Sequence, residues 1–474
     1  MPEVTLVIGM LLLILTDLFK KAKLLLIVSL VLPSVATWFL LSDGLPESQS
    51  LFEGFVTVDE SGTAWRLVLL VATFISLLLI SRDAHNTVKG ETYVLIFGIL
   101  LGGHLLVLAS HLLMVYLGIE IMSICAYALT LFHFTKVGSE ASIKYLVFGA
   151  VSSALMLYGI SWIYTITGSL FFLEPEFSDA LLNANLVPLA IGLLLILAGL
   201  LFKAGAVPFH VWSPDVYTAA PTPIVAFFST VPKIAALAFL MKWLLVIHLF
   251  GLGPLDWVAI LALIAMLSML VGNFSALRQQ NVKRLMAYSS IAHTGFLIVP
   301  IISLSEQASR GLLFYAIIYI LMNLAAFLII HFFETDENIT TVKQYAGMIK
   351  KYPFLSILFI TIMVSLVGIP PTAGFTAKLL IFTSLWEAYL ANESLWLLGL
   401  FCFGLLNTVV ALFYYLKVPF YMIFREQDAE DVNFKVKKYP FTGILASLLV
   451  LMVLIFFFKP DWLLGVVNKI SFVF

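Results

Sequence analysis

Charge is what this chain has least of. Only 11% of its 474 residues are Asp, Glu, Lys or Arg, 62% are apolar, and the mean hydropathy is +1.08. A soluble domain of this length has no use for so much apolar surface, so the chain reads as a polytopic membrane protein. The formal net charge of −1 excludes a nucleic-acid surface. Cysteine is nearly absent. Cys125 and Cys402 sit in apolar runs with neither a CxxC nor a Cys/His spacing. They read as small core residues, which excludes zinc, iron–sulfur and disulfide frameworks. No Walker motif, dinucleotide fingerprint, haem-ligand pair or soluble catalytic domain is present. The chain is therefore expected to bind no cofactor and to be by itself neither a redox enzyme nor an ATPase. The N-terminus has no basic n-region and no A-x-A site, so its first apolar run is expected to stay as a span. The 40 Phe residues show no stacking platform and are expected to face lipid or pack.

What is present is a series of apolar segments, fourteen of them long enough, or nearly so, to cross a core about 30 Å thick. They run over 3–19, 24–41, 65–81, 92–109, 111–132, 143–165, 186–211, 222–248, 255–274, 284–304, 311–333, 353–386, 395–424 and 440–458. The twelfth is too long for one straight helix, and Gly368-Ile-Pro-Pro-Thr-Ala-Gly374 supplies its break; the seventh breaks near Gly205 and Pro208. The odd-numbered loops hold 18 of the 26 basic residues, among them Lys20, Lys21, Arg82, Lys89, Lys435 and Lys437. The positive-inside rule then puts the odd loops in the cytoplasm and both termini on the other side, with the acidic stretches Asp43–Glu60 and Glu174–Asp179.

Three basic residues stand out inside spans: Lys203, Lys233 and Lys378, with Glu120 the clearest intramembrane acid. A lone lysine at the centre of a membrane helix costs about 2.5–3.5 kcal/mol on insertion scales, so such residues face a polar interior and mark proton or ion paths. Snorkelling to an interface is the plainer explanation, but all four lie too deep in their runs for it. Between Lys203 and Lys233 come Pro208, Pro214, Pro221 and Pro223, with His210, Trp212, Asp215 and Tyr217. Proline frees backbone carbonyls that only protein or water can satisfy. A Glu120–Lys203 pair would hold the lysine's proton, and drawing Glu120 away would release it toward Lys233. A dry interior disfavours keeping both lysines charged, so their titrations would be coupled. His210, after the seventh-span break, and His293, in a hydroxyl-rich helix, could relay protons or simply satisfy carbonyls. His104, His111, His133, His248 and His331 sit near span ends and are expected at the interface, as is Asp17. Asp215 is expected to fix its loop or a partner contact, with proton entry the alternative, and Lys144 to serve structure or proton uptake at the start of span six.

The architecture repeats itself. Spans four to eight hold an embedded Glu, a proline-broken helix and Lys233; spans nine to thirteen hold the His293 helix and a second proline-broken helix with Lys378. Units of five spans must have opposite topologies, the arrangement of inverted-repeat transporters. The expected division is 1–91 (helices 1–3), 92–250 (first repeat), 251–425 (second repeat) and 426–474 (helix 14 and tail).

At Phe-Lys-Ala-Gly-Ala-Val-Pro-Phe-His-Val-Trp-Ser-Pro-Asp-Val-Tyr (202–217) the chain resembles the antiporter-like membrane subunits of bacterial NADH:quinone oxidoreductase, respiratory complex I, and within them subunit N more than M or L. Gly118-Ile-Glu120, Glu140-Ala-Ser-Ile-Lys-Tyr, Gly149–Gly159, Pro221–Lys233, Asn281–His293 and Gly368–Lys378 add to the resemblance, which covers nearly the whole chain. It implies an all-α fold of about fourteen transmembrane helices with helices seven and twelve broken. Glu120, Lys203, Lys233 and Lys378 would occupy the family's proton-transfer positions on helices five, seven, eight and twelve. Electrons would travel elsewhere, through FMN and iron–sulfur subunits to quinone, and the partners would be neighbouring membrane-arm subunits in the bacterial inner membrane. A component of a multisubunit cation/proton antiporter, or of a related ion-pumping redox complex, is the competing expectation. A scaffold without transport is a third, disfavoured by the four intact buried charges.

Overall fold

A bilayer offers no water to backbone N–H and C=O groups, so apolar runs of this length must satisfy themselves as helices. The computed structural model describes residues 2–19, 22–42, 44, 48–81, 90–131, 135–249, 255–426 and 438–472. Its helices, in chain order, are α1 (Pro2–Leu18), α2 (Ala22–Ser42), α3 (Glu60–Ser81), α4 (Gly90–Leu108), α5 (Leu112–Thr130), α6 (Lys136–Thr167), α7 (Pro175–Leu182), α8 (Leu186–Ala204), α9 (Ser213–Ala219) and α10 (Thr222–Phe228). After them come α11 (Val231–Leu249), α12 (Trp257–Arg278), α13 (Val282–Ile302), α14 (Glu306–Glu337), α15 (Met348–Lys351), α16 (Pro353–Val367), α17 (Ala373–Asn392), α18 (Leu395–Phe424), α19 (Pro440–Phe458) and α20 (Asp461–Val467). A two-stranded antiparallel hairpin, β1 (Gln49–Leu51) with β2 (Val56–Val58), and a 3-10 turn at Val342–Tyr345 complete the described structure.

Among the described residues, twelve helical stretches have the length and composition to cross a membrane. The 17-residue α1 and the α16–α17 pair bring the crossings to the expected fourteen. The chain is thus a multi-pass membrane protein. Lys20, Lys21, Asp43, Arg82, Lys89, His133, Lys435, Lys437 and the side chain of His248 lie outside the described residues.

The two five-helix repeats share local devices. Their third members, α6 and α14, are both 32 residues long. In α4 and α5, Gly102 and Gly118 face each other so closely that a Cβ on either would come within 2.7–2.9 Å of the other's carbonyl oxygen. Their counterparts α12 and α13 approach as tightly, a Cβ on Gly295 meeting the Ala265 carbonyl at 2.7 Å. Small residues at such seams let membrane helices approach to backbone contact. Both broken helices end in a left-handed glycine, Gly205 (φ 69°) and Gly368 (φ 87°), each three residues before a proline that follows a cis bond, Pro208 and Pro371. A left-handed residue costs an L side chain about 1–2 kcal/mol, which is why glycine stands there.

One break was not expected. Span eight divides into α10 and α11 at Ser229-Thr230, ahead of Pro232 in the first turn of α11. Pro232 has no N–H to continue the ladder of α10. One expectation is corrected by burial. Cys402 points outward from α18, because that helix lies at the rim of the bundle. His104, His111 and His331 are buried within the protein. Asp17 is half-buried and accepts a bond from the Gly90 amide at 3.3 Å, tying α1 to α4.

The centre of the bundle belongs to α10, α11, α13 and α14, which are almost wholly enclosed. Around them α1, α2, α5, α6, α18 and α19 turn Leu, Ile, Val and Phe side chains outward, as a lipid-facing wall requires.

Candidate functional site

Breaking a helix inside a membrane leaves backbone groups that must find partners within the protein. At the end of α8 they find them just before α9 and on α12 and α13. The Phe202 carbonyl accepts the Trp212 indole N–H at 3.2 Å, the Ala204 carbonyl accepts the Thr294 hydroxyl at 3.1 Å, and the Val207 amide donates to Ser268 at 3.0 Å. Trp212 is held in turn by stacking on Tyr145, ring centroids 4.2 Å apart. This frame fixes the position of Lys203, which is 2% exposed and donates to the Ser123 hydroxyl at 3.2 Å.

Ser123 lies one turn along α5 from Glu120. Glu120 and Lys203 form no ion pair in the structure; the Ser123 hydroxyl that receives Lys203 donates to the Ile119 carbonyl at 2.7 Å. Glu120 keeps one buried carboxylate oxygen, Oε1, without a hydrogen bond.

Lys233 is the most fully coordinated of the lysines. Its ammonium donates to the Ser290 carbonyl at 2.8 Å, the Ser290 hydroxyl at 2.6 Å and the Thr294 hydroxyl at 2.8 Å. It also lies about 4 Å from where a Cβ on Gly205 would stand, so the seventh-helix break and Lys233 share one space. Three donors on one ammonium, all occupied, leave the group satisfied without a carboxylate. Ser290 extends the network to the Tyr319 hydroxyl at 3.0 Å and the Tyr217 hydroxyl at 3.3 Å. The Tyr319 hydroxyl in turn donates to the Ser229 carbonyl at the eighth-helix break, at 3.2 Å.

His293 sits one turn further along α13, bonded through Nδ1 to the Tyr315 hydroxyl at 2.8 Å and through Nε2 to the Tyr415 hydroxyl at 3.0 Å. Tyr415 also bonds Ser289. The His293 ring lies 6.2 Å from the Phe296 ring, centroid to centroid. Lys378 folds back from α17 onto the last turn of α16, donating to the Val367 carbonyl at 2.7 Å. Its ammonium stands 4.4 Å from the Phe296 ring centroid, and its side chain fills the space a Cβ on Gly368 would take. A half-helix C-terminus carries partial negative charge, so it suits a cation. A cavity of about 650 Å³ opens beside Lys378, walled by Phe375, Phe382, Trp386 and Phe401.

The six residues singled out from sequence thus divide. Lys203, Lys233, His293 and Lys378 are all buried in the interior, each in its own hydrogen-bonded group, and Glu120 stands one turn from Ser123, the partner of Lys203. His210 joins none of these groups. It lies in the turn after the break, half-buried, with Nδ1 unpartnered.

Residues 109–405 match the family described as NADH:quinone oxidoreductase/Mrp antiporter, transmembrane. The chain belongs to this family. A relative, subunit N 2 of the NADH-quinone oxidoreductase of Chloroherpeton thalassium, is 37% identical over 96% of this chain and 90% of its own length. A chain in the structure of respiratory complex I from Thermus thermophilus with bound aureothin superposes with a TM-score of 0.82 at 29% identity, covering 98% of this chain and 99% of that one. A chain of the Mrp complex from Dietzia superposes with a TM-score of 0.85 at 17% identity, over 99% and 96% of the two chains, which shows the shared fold alone.

In this member of the NADH:quinone oxidoreductase/Mrp antiporter family, the structure also gathers charges that the sequence had left among the loops. Arg66 and Lys242 are buried inside helices. Arg66 donates to Glu3 at 3.0 Å, His104 contacts the same carboxylate at 3.1 Å, and Lys242 lies 3.7 Å from Asp59. These groups cluster at the end of the bundle where α1 and α3 begin. At the opposite end Asp215, on α9, bonds Lys144 at 3.1 Å and Arg284 at 3.6 Å, and Lys283 bonds Glu334 at 3.0 Å. Segment-by-segment hydropathy could not pair these residues, because each partner comes from a helix far away in sequence. One signal was available: Arg66 and Lys242 each fall inside an apolar run and belong with the intramembrane charges.

Proposed function

We propose that this chain is the subunit-N-type component of NADH:quinone oxidoreductase, moving protons through the interior network while electrons pass elsewhere in the complex. The reading rests on one observation above all: three lysines, each 5% exposed or less, line a hydroxyl-rich interior beside three helix breaks. Buried lysines held by serine, threonine and backbone oxygens can gain and lose protons without losing their hydrogen-bonding surroundings. A structural ion pair would need carboxylates beside them, and the network around Lys233 has none.

Glu120, Lys203, Lys233 and Lys378 are the proton-transfer residues in this reading, His293 is a relay between Lys233 and Lys378, and His210 a peripheral relay. The complex would carry FMN and iron–sulfur clusters in other subunits and pass electrons to a quinone; neighbouring membrane-arm subunits are the partners. The basic end of the bundle faces the cytoplasm of a bacterial cell, with both termini across the inner membrane. The four-part division at residues 91, 250 and 425 separates helices 1–3, the two repeats and the last helix. The family description covers Mrp antiporters too, but the Mrp chain is only 17% identical, whereas relatives at 33–38% identity carry the subunit N name.

The test is Lys233→Met in the assembled complex, in membrane vesicles, with NADH-driven quinone reduction and proton pumping recorded together. Both are expected to fall by more than about tenfold, a loss in the range of a removed proton-transfer group, while the complex still assembles. Pumping and quinone reduction at unaltered rates would overturn the reading.

A further inference from the structure

Between the seventh and eighth breaks runs α10, a seven-residue helix packed mainly on α14 and α3. Both ends of α10 touch titratable or hydroxyl groups. At its first residue, the buried Thr222 hydroxyl bonds the Glu334 carboxylate of α14. Just past its last residue, the Ser229 carbonyl accepts the Tyr319 hydroxyl, which bonds Ser290, an acceptor for Lys233. Seven helical residues span about 10 Å. A second strand of the same arrangement runs along α13. Lys283, which bonds Glu334 and the Ala220 carbonyl, lies two turns before Ser290 on the same face. Three residues before Ala220, Tyr217 reaches the Ser290 hydroxyl.

Resting on the proton-transfer reading above, we propose that Glu334 is the proton-loading residue of this chain. It takes protons from the aqueous phase at the basic end and passes them along α10, between Tyr217 and Asn323, to Ser290 and Lys233. Glu334 has the exposure the role requires: its side chain is 26% accessible, while Lys283 is 11% and Thr222 is buried. Between it and Tyr319 on α14 stands Asn323, 1% exposed, whose Oδ1 has no hydrogen bond. A buried acceptor of that kind is a place for a bridging water.

Other acids at this end are committed differently. Asp215 lies between two half-exposed cations, Lys144 and Arg284. Glu337 is bound by Lys351 and by the Tyr352 hydroxyl. The charged and titratable groups that face Glu334 are Lys283 from α13 and Tyr345 from the 3-10 turn, with His331, Asp336 and Glu337 on its own helix.

The experiment compares Glu334→Gln, Lys283→Gln and the double variant in the assembled complex, reading NADH-driven pumping, with Lys233→Met as reference. If the ion pair only braces the fold, each single variant strands a charge and the double variant, with two neutral amides, recovers wild-type pumping. If Glu334 loads protons, Glu334→Gln and the double variant both lose pumping by more than about tenfold, Lys283→Gln loses less, and Glu334→Asp recovers most of it. Should Glu334→Gln fail to assemble, the double variant and Glu334→Asp carry the same comparison. Wild-type pumping in Glu334→Gln or in the double variant overturns the assignment. Loss in Lys233→Met beside it leaves the proton-transfer reading standing, whereas unaltered pumping in Lys233→Met removes that reading itself.

Discussion

An ammonium lying against the last carbonyls of a half-helix is favoured by the helix dipole, and Lys378 reaches that position through the space left by the missing Cβ of Gly368. A Cβ there would stand 2.7 Å from the Lys378 Cδ, on a backbone at φ 87°. Gly368→Ala is therefore expected to destabilise the subunit by about 1–2 kcal/mol from the backbone alone and to displace the lysine as well. A thermal scan of the assembled complex should show a lowered transition together with slowed pumping; an unchanged transition would mean the break tolerates a side chain. The residue-scale reading of the sequence went far because a charge inside an apolar run is conspicuous. Lys203, Lys233, Lys378 and Glu120 could be picked out from their neighbours alone. Their partners could not. Ser290, Thr294, Tyr319 and Tyr415 are ordinary hydroxyl residues until the fold brings α13, α14 and α18 around Lys233 and His293.

At the scale of elements, fourteen crossings and two of the three breaks were legible, since hydropathy and proline placement act locally. The break in span eight was not, because Pro232 in an apolar run can equally open a new helix or bend an old one. What decides is tertiary: the Ser229 carbonyl, released from the ladder, is taken by Tyr319. The segment from α9 to α10 consequently hangs between two breaks and is anchored at its basic end by Asp215 to α6 and α13. Those ion pairs are 32–43% exposed, so their net contribution is under about 1 kcal/mol. Asp215→Asn should therefore leave the fold intact but loosen α9. Hydrogen–deuterium exchange at 213–219 is expected to accelerate while α13 stays protected; unaltered exchange would show that packing of Tyr217 and Trp212, not charge, holds the segment.

Over the whole molecule the question is whether the two repeats work as one path or as two. Each has its own broken helix and buried lysines, and evolution by duplication would permit independent channels. The packing favours a single path. α13, which belongs to the second repeat, supplies Ser290 and Thr294 to Lys233 of the first, and Thr294 also binds the Ala204 carbonyl next to Lys203. Phe296 on the same helix then meets the ammonium of Lys378, 4.4 Å from its ring centroid. One helix thus carries contacts to the breaks of both repeats. A serial path and a pair of parallel paths give different arithmetic in a double-variant comparison. In series, Lys203→Met and Lys378→Met each abolish pumping, and combining them adds nothing. In parallel, each single variant keeps the other channel's share, and only the double variant stops. Pumping per quinone reduced, measured in vesicles holding the three assembled complexes, distinguishes the two. The expected result is the serial one, because the same Thr294 hydroxyl binds both the Lys233 ammonium and the Ala204 carbonyl beside Lys203.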